Sequence, residues 1–323
     1  MIRAYKTGAA FKQALEERLR SASASGVDFA RRRQLVVFDR FLARISAEFG
    51  DSVTLKGGLA LELRIDRART TQDVDLRVQG SPRDILDRLR SAVDRDLGDF
   101  MVFTIRSNPR HPRIQNDGMK YEGLRFHAAC AVAGKGYGRP FGVDVAFGDP
   151  ILGEPEHLVA EDALAFAGIA PPTLRVYPVE THIAEKLHAY TMPRPRPNSR
   201  VKDLPDIALL ASAGPADARR VRGAIVQTFA FRGTHEVPEV LPAPPEIWTA
   251  PYAAMAHEDR LRWATLNDVF EAARGFLNPV LTGPNHVIWD PTAWRWAALG
   301  NHPASERSDD PTRINAVEEE PRG

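Results

Sequence analysis

Two aspartates one residue apart in a short alternating run limit this chain more than any other feature. From Thr71 to Val78, the residues Val74, Leu76 and Val78 fall on one side of an extended segment, with Asp73, Asp75 and Arg77 on the other. Residues i and i+2 of a strand share a face at about 6.5–7 Å, so the two carboxylates stand side by side. Upstream, Val53 and Leu55 alternate as a short strand, Gly57-Gly58 breaks it, and Leu59 to Leu63 resume with helical spacing. A glycine pair at a helix start lets backbone N–H groups approach a phosphate with no Cβ in the way. Paired carboxylates suit Mg2+, which prefers carboxylate oxygens plus substrate phosphates to a closed protein cage. A bare Asp-x-Asp is common on solvated strands; the glycines upstream, with Arg69-Thr70 between, favour the metal reading.

Around this centre the chain changes texture several times. Residues 1–49 read as a helical arm: Phe11, Leu15 and Leu19 recur at four-residue steps, and Ser21 to Gly26 breaks the pattern. Leu35, Phe38, Leu42 and Ile45 then mark a second stripe. Opposite it lie Arg31, Arg32, Arg33 and Arg40, expected as a solvated face, with Arg31 and Arg32 as candidate grips on RNA. Residues 50–170 alternate strands with inserted helices: a helix over Ile85 to Val93, then strands at Met101–Arg106, Leu124–Val132 and Gly142–Phe147, with a hairpin loop at residues 134–138. This pattern predicts an α/β or α+β sheet domain. Residues 171–300 are mainly helical, with helices expected over Val179 to Tyr190, Asp203 to Ala211, from near Asp217, and over Leu261 to Leu277. Val237 to Pro251 reads as an irregular, proline-rich crossover. The polar, acidic tail, residues 301–323, is expected to be disordered.

Composition removes several classes. At 323 residues the chain has room for about two domains. No apolar stretch approaches the ~18–20 residues that span a bilayer, and Met1 to Lys6 precede no apolar core of a signal peptide, so a cytoplasmic protein without membrane partners is expected. The single cysteine, Cys130, excludes an internal disulfide and a cysteine-built zinc site, and should be a small buried hydrophobe. His182, Glu185 and His188 do not follow the spacing of a zinc helix, and Gly134-Lys135-Gly136 lacks the ending of a phosphate-binding P-loop. The net charge of +1 divides into −3 on the tail and +4 on the body, a balance that permits a nucleic-acid partner.

The segment Leu55-Lys56-Gly57-Gly58-Leu59-Ala60 followed by Arg69-Thr70-Thr71-Gln72-Asp73-Val74-Asp75-Leu76 resembles the nucleotidyltransferase signature. More narrowly, it is similar to the AbiEii/AbiGii toxin family with its MenT-like members. Two departures are visible: the spacer between Gly58 and Asp73 is slightly long, and the second glycine replaces a serine found in many relatives. Further matches follow in Gly142-Val143-Asp144-Val145, in Glu180-Thr181-His182-Ile183-Ala184-Glu185-Lys186-Leu187 and in Arg200-Val201-Lys202-Asp203-Leu204-Pro205-Asp206.

The resemblance implies a bilobed nucleotidyltransferase fold, an N-terminal mixed-sheet lobe facing a mainly helical C-terminal lobe across a cleft for Mg2+ (or Mn2+) and an NTP. It makes Asp73, Asp75 and Asp144 metal ligands, Asp144 also a base toward an attacking hydroxyl, and Lys186 and Asp203 catalytic. Lys56, Gly57, Gly58, Thr70, Lys186, Arg200 and Lys202 would bind the nucleotide, and Arg194 and Arg196 would reach an RNA backbone. The implied reaction adds a nucleotide, a pyrimidine by analogy, to the 3′ end of tRNA, and the implied partner is an AbiEi-like winged-helix antitoxin. Transfer to a small molecule or protein, and a non-catalytic nucleotide-binding regulator, remain as alternatives.

Overall fold

Helix-forming apolar spacing and side-chain caps set the first two elements. The computed structural model describes residues 5–65, 70–114, 122–148, 150–194, 200–283 and 286–298. Helix α1 (Gly8–Ser21) starts where the Thr7 hydroxyl accepts from the Ala10 N–H at 3.2 Å, and it buries Phe11, Leu15 and Leu19. Helix α2 (Gly26–Phe49) is capped in the same way by Ser25.

One expectation for α2 is overturned. Arg40 does not belong to a solvated face: it is buried, as is Arg44, and both close on Asp99. Arg40 Nε donates to Asp99 at 2.9 Å, and the two Arg44 terminal nitrogens donate at 2.8 and 2.7 Å. The sequence pattern treats every arginine as solvent-seeking, whereas a bidentate guanidinium–carboxylate pair can be buried when both partners arrive together. Burial pushes the Asp99 carboxyl up, but hydrogen bonds and charge from the two arginines outweigh it and hold the group below its ordinary value.

The sheet follows. Strand β1 (Val53–Lys56) leads directly into α3 (Gly57–Arg64), then come β2 (Asp73–Val78), α4 (Ile85–Val93), β3 (Met101–Ser107) and β4 (Gly123–Val132). After these run β5 (Lys135–Gly136), β6 (Phe141–Phe147), β7 (Glu156–Val159) and β8 (Thr173–Val176). Among the described residues the order across the sheet is β3-β4-β6-β2-β1-β8-β7, with β5 against β4. It is a mixed sheet: β2 with β6 and β1 with β8 are parallel, and the other pairs antiparallel. Along β2 the aliphatic residues Val74, Leu76 and Val78 are buried while Asp73 is exposed and Asp75 half-buried, as the alternation predicts. Cys130 is buried with them, and burial pushes its thiol up to about 12, so it is inert packing.

Helices make up most of the second half: α5 (Val179–Thr191), α6 (Asp203–Ser212), α7 (Ala218–Arg232), α8 (Thr249–Glu258) and α9 (Leu266–Thr282). A short β9 (Ala216–Asp217) pairs with the hairpin β10 (Val287–Asp290) and β11 (Arg295–Ala298). Two buried clusters result. One joins α1 and α2 to the sheet, from Phe11 to Val176; the other joins α5 to α9 around Leu187, Ile207, Phe276 and Trp289 and receives Leu61 from α3. No helix among the described residues is long and apolar enough to cross a membrane. The tail 301–323 and Arg196 lie outside the described residues.

Candidate active site

Strand register builds the centre of the site. Asp75 on β2 is paired with Lys56 on β1 and with Asp144 on β6, and Asp144 is paired in turn with Arg125 on β4. Register partners in a sheet stand on one face at the ~4.8 Å strand spacing, so four neighbouring strands present Lys56, Asp75, Asp144 and Arg125 in a row. The next row holds Asp73 opposite Gly142. Three carboxylates thus share one open face, flanked by a cation at each end.

Two glycines give those carboxylates their room. Gly57 has φ +67°, and a Cβ there would lie 2.0 Å from Asp75 Oδ2. Gly142 has no such backbone demand, but a Cβ on it would lie 2.5 Å from Asp73 Oδ1. Each aspartate therefore leans over a glycine: Asp75 toward the start of α3, Asp73 toward β6.

The charge balance is poised. Burial pushes the Asp75 carboxyl up, and the charges of Asp144 and Asp73 push the same way against Lys56 and Lys186. Such a group gains from a nearby cation. Asp144 is already held: Arg125 Nε donates to Oδ1 at 2.8 Å and a terminal nitrogen to Oδ2 at 2.7 Å, a bidentate clamp. Those bonds with Asp144 raise the hold of the Arg125 guanidinium on its proton, against the effect of burial. Among the described residues no set of three or more His, Cys, Asp or Glu side chains is gathered closely enough to hold a metal ion by itself. The donor set still fits Mg2+: paired carboxylates beside the glycine-led start of α3 supply part of an octahedral shell that phosphates and water complete.

The helical half faces this row with cations held by buried acids. Lys186 on α5 lies 2.6 Å from Asp206 and 3.3 Å from Asp203, both fully buried on the first turn of α6. Arg200 stands 3.7 Å from the second Asp203 oxygen, which accepts no hydrogen bond. Lys56 reaches across to Glu185 on α5 at 3.2 Å, and Arg232 on α7 meets the same Glu185 oxygen at 3.2 Å. His182, one turn before Lys186, is fully buried with neither ring nitrogen hydrogen-bonded. Burial, seconded by the charge of Lys186, holds its pKa well below the ordinary value, so the ring is neutral.

The sequence candidates divide accordingly. Asp73, Asp75, Asp144, Lys56, Gly57 and Gly58 meet on the open face or at its edge, with Lys186, Asp203 and Arg200 grouped across from it and Lys202 exposed beside them. Thr70 is exposed, and its backbone N–H donates to Asp259 at the end of α8, 2.9 Å away. Arg31 is tied to Glu62 at 2.9 Å, and the other Glu62 oxygen accepts from the Thr71 N–H, so this pair braces the approach to β2. Arg32 pairs with Asp28. Arg194 is half-buried near His188, whose imidazole is pushed down to about 3 by burial and then by the charges of Arg232, His235 and Arg194. Sequence reasoning gave no site role to Arg125, Glu185, Arg232 and Gly142, whose places depend on strand register and helix docking. Asp206 is read from the Arg-x-Lys-Asp-x-x-Asp run as an acid that orients Lys186 or as a first-turn acid, and in the structure it lies 2.6 Å from Lys186.

A mixed sheet with this carboxylate face and a helical half bearing cations defines a nucleotidyltransferase. The description "Nucleotidyl transferase AbiEii toxin, Type IV TA system" matches residues 40–274, and the chain belongs to that family of toxins, which act within toxin–antitoxin pairs. Among solved structures it is similar to MenT4, a nucleotidyltransferase toxin from Mycobacterium tuberculosis H37Rv, with 21% identity, a TM-score of 0.54, and 87% of this chain and 92% of that one covered. JHP933 from Helicobacter pylori matches with 16% identity, a TM-score of 0.43, and 77% and 92% coverage. Comparison with curated protein sequences found no significant match.

Proposed function

We propose that the protein transfers a nucleoside monophosphate from an NTP, by family analogy a pyrimidine nucleotide, to the 3′ end of tRNA, and so blocks aminoacylation and translation. The carrying observation is the register block that sets Asp73, Asp75 and Asp144 on one open face with glycines beneath two of them. In this reading residues 50–170 form the lobe that carries the carboxylates, 171–300 the lobe that carries the cations, and 1–49 a helical arm packed on the first.

Asp73 and Asp75, with Asp144 beside them, would hold Mg2+ or Mn2+, which when bound supplies neutralisation of the triphosphate charge. The N–H groups at the Gly57-Gly58 helix start, with Lys56, Lys186, Arg200 and Lys202, bind and orient the phosphates. The acceptor hydroxyl then attacks the α-phosphorus. An O–P bond forms, the bond to the bridging oxygen breaks, pyrophosphate leaves, and the hydroxyl proton passes to the Asp144 carboxylate. Asp203 and Asp206 position Lys186, and Arg125 positions Asp144. The basic run from Arg194 to Lys202 and the +4 body favour a polyanionic acceptor over a cationic small molecule. An AbiEi-like winged-helix protein is the antitoxin this reading expects.

The test incubates tRNA with protein, Mg2+ and each NTP in turn, then sequences the 3′ ends and measures aminoacylation. Extended, uncharged tRNA with the wild type and unmodified tRNA with Asp75→Ala support the proposal; unextended tRNA with every NTP overturns it.

A further inference from the structure

Of the three acids on the open face, Asp73 has the least to hold it. Asp144 is clamped by Arg125, and Asp75 sits against Gly57 with Lys56 in register beside it. Asp73 is the first residue of β2 and is exposed, and among the described residues its carboxylate makes no hydrogen bond or ion pair. Among those residues its backbone is paired in the sheet only with Gly142 on β6, because the register of β1 ends at Lys56 opposite Asp75, where the chain turns into α3. The direction in which Asp73 presents its oxygens therefore depends on how the chain is held just before it.

That hold comes from two carboxylates. The Thr71 N–H donates to Glu62 Oε2 at 3.1 Å and the Thr70 N–H to Asp259 Oδ1 at 2.9 Å. Consecutive backbone donors are thus taken by α3 and by the residue that ends α8. The Thr71 hydroxyl lies 3.4 Å from the Asp73 carbonyl oxygen. Glu62 is itself fixed: its side chain is 4% exposed, and Oε1 accepts from Arg31 Nε on α2 at 2.9 Å. Burial pushes its carboxyl up against the charge of Arg31 and the bond from Thr71, and the charge of Asp259 adds to the rise. A buried ion pair adds little stability over apolar side chains of similar size. What the carboxylate supplies, and an apolar side chain cannot, is an acceptor of fixed direction for the backbone entering β2.

We propose that Glu62 is a positioning residue for Asp73: fixed by Arg31, it holds the Thr71 N–H and so sets where β2 begins and where the Asp73 carboxylate stands toward a divalent cation. The inference rests on Asp73 helping to hold that cation, as proposed above. It gives Arg31 the task of orienting Glu62 in place of an RNA contact. Glu62 acts through the chain entering β2 and is not itself a ligand.

The experiment titrates the full chain with Mn2+ alone, reads free Mn2+ from its EPR signal, and records a thermal melt of each variant. Two double variants decide it. Arg31→Met/Glu62→Leu replaces the pair with apolar side chains, removing the acceptor without stranding a buried charge. Arg31→Met/Glu62→Gln removes the same charges but keeps an amide oxygen for the Thr71 N–H. The leucine variant should bind Mn2+ about tenfold more weakly than wild type, a loss typical of groups that orient a metal ligand. The glutamine variant should recover most of that affinity, and the two should melt within a few degrees of each other. If the leucine variant does not fold, Glu62→Gln with Arg31 intact takes its place: two donors then compete for one amide oxygen, and it should bind Mn2+ more weakly than Arg31→Met/Glu62→Gln. Equal Mn2+ affinity in the compared pair overturns the positioning role while the metal reading stands. If the wild type takes up no Mn2+, or Asp73→Asn takes it up as well as the wild type, the metal reading fails and the positioning role with it.

Discussion

A side-chain carbon on Gly57 would lie 2.0 Å from Oδ2 of Asp75, so the residue that turns the chain from β1 into α3 also decides where a carboxylate of the site can stand. Gly142 has the same relation to Asp73, at 2.5 Å, without an unusual backbone angle. The two glycines therefore separate two effects. Gly142→Ala should leave the melting temperature within a few degrees of wild type but displace Asp73 and reduce transfer by about 10²-fold. Gly57→Ala should abolish transfer and also destabilise the fold, since φ +67° alone costs a side-chain-bearing residue about 1–2 kcal/mol. Thermal melts beside transfer assays distinguish the pair; equal loss of stability in both would contradict the account.

Lys186 is the counter-ion of two fully buried acids. Removing one partner of a buried ion pair leaves uncompensated charge and typically costs about 3–5 kcal/mol. Lys186→Met should therefore unfold at markedly lower denaturant, and adding Asp206→Asn should restore part of that stability without restoring transfer. Chemical denaturation of the single and double variants checks this.

Asp75 is raised by burial and by Asp144, and lowered by Lys56. A carboxyl with a raised pKa loses its charge early as pH falls, so nucleotide and metal binding should fade on the acid side. Lys56→Met removes an opposing charge and should move that acid limb to higher pH, whereas Lys56→Arg should leave it in place. Binding of a fluorescent NTP in Mg2+ across pH reads the limb directly; an unmoved limb in Lys56→Met would contradict the electrostatic account.

Asp39 offers a stability test away from the site. Burial pushes its carboxyl up to about 7, with Asp99 and Glu161 adding to the shift against Arg40, and Oδ1 accepts no hydrogen bond. A folded-state pKa raised above the unfolded value favours the protonated, folded form. Its contribution is full below about pH 4 and is lost as pH rises through about 7. Asp39→Asn should thus be more stable than wild type at pH 8, by something on the order of 2–4 kcal/mol, and the gain should vanish toward pH 4. Denaturant midpoints at the two pH values check it.

The local signals that sequence carries best were the ones the structure kept. Four-residue apolar steps placed α1 and α2, strict alternation placed β2, and the Gly57-Gly58 break sits where β1 becomes α3. Helix α8 was hidden because Pro251 lies in its first turn, where proline is tolerated, and read instead as loop. Helix α9 begins at Leu266, after the Thr265–Asp268 capping box, and continues past Pro279 toward the last turn. Strands β7, β8, β10 and β11 are four residues each, too short to establish a period. At the site, Asp73, Asp75 and Asp144 were legible as motif residues. Arg125 was not, because its role comes from lying opposite Asp144 across two strands 19 residues apart. The same holds for Glu185, which acquires its place only when α5 docks against Lys56 and Arg232.

The central claim is the class of reaction, and the position of a label tests it most directly. With an NTP labelled at the α-phosphorus in one reaction and at the γ-phosphorus in another, Mg2+ and tRNA present, the account predicts that α-label enters the RNA and γ-label leaves in pyrophosphate, both abolished by Asp75→Ala. Label from the γ position on the acceptor, or α-label that remains with the free nucleotide, would contradict it.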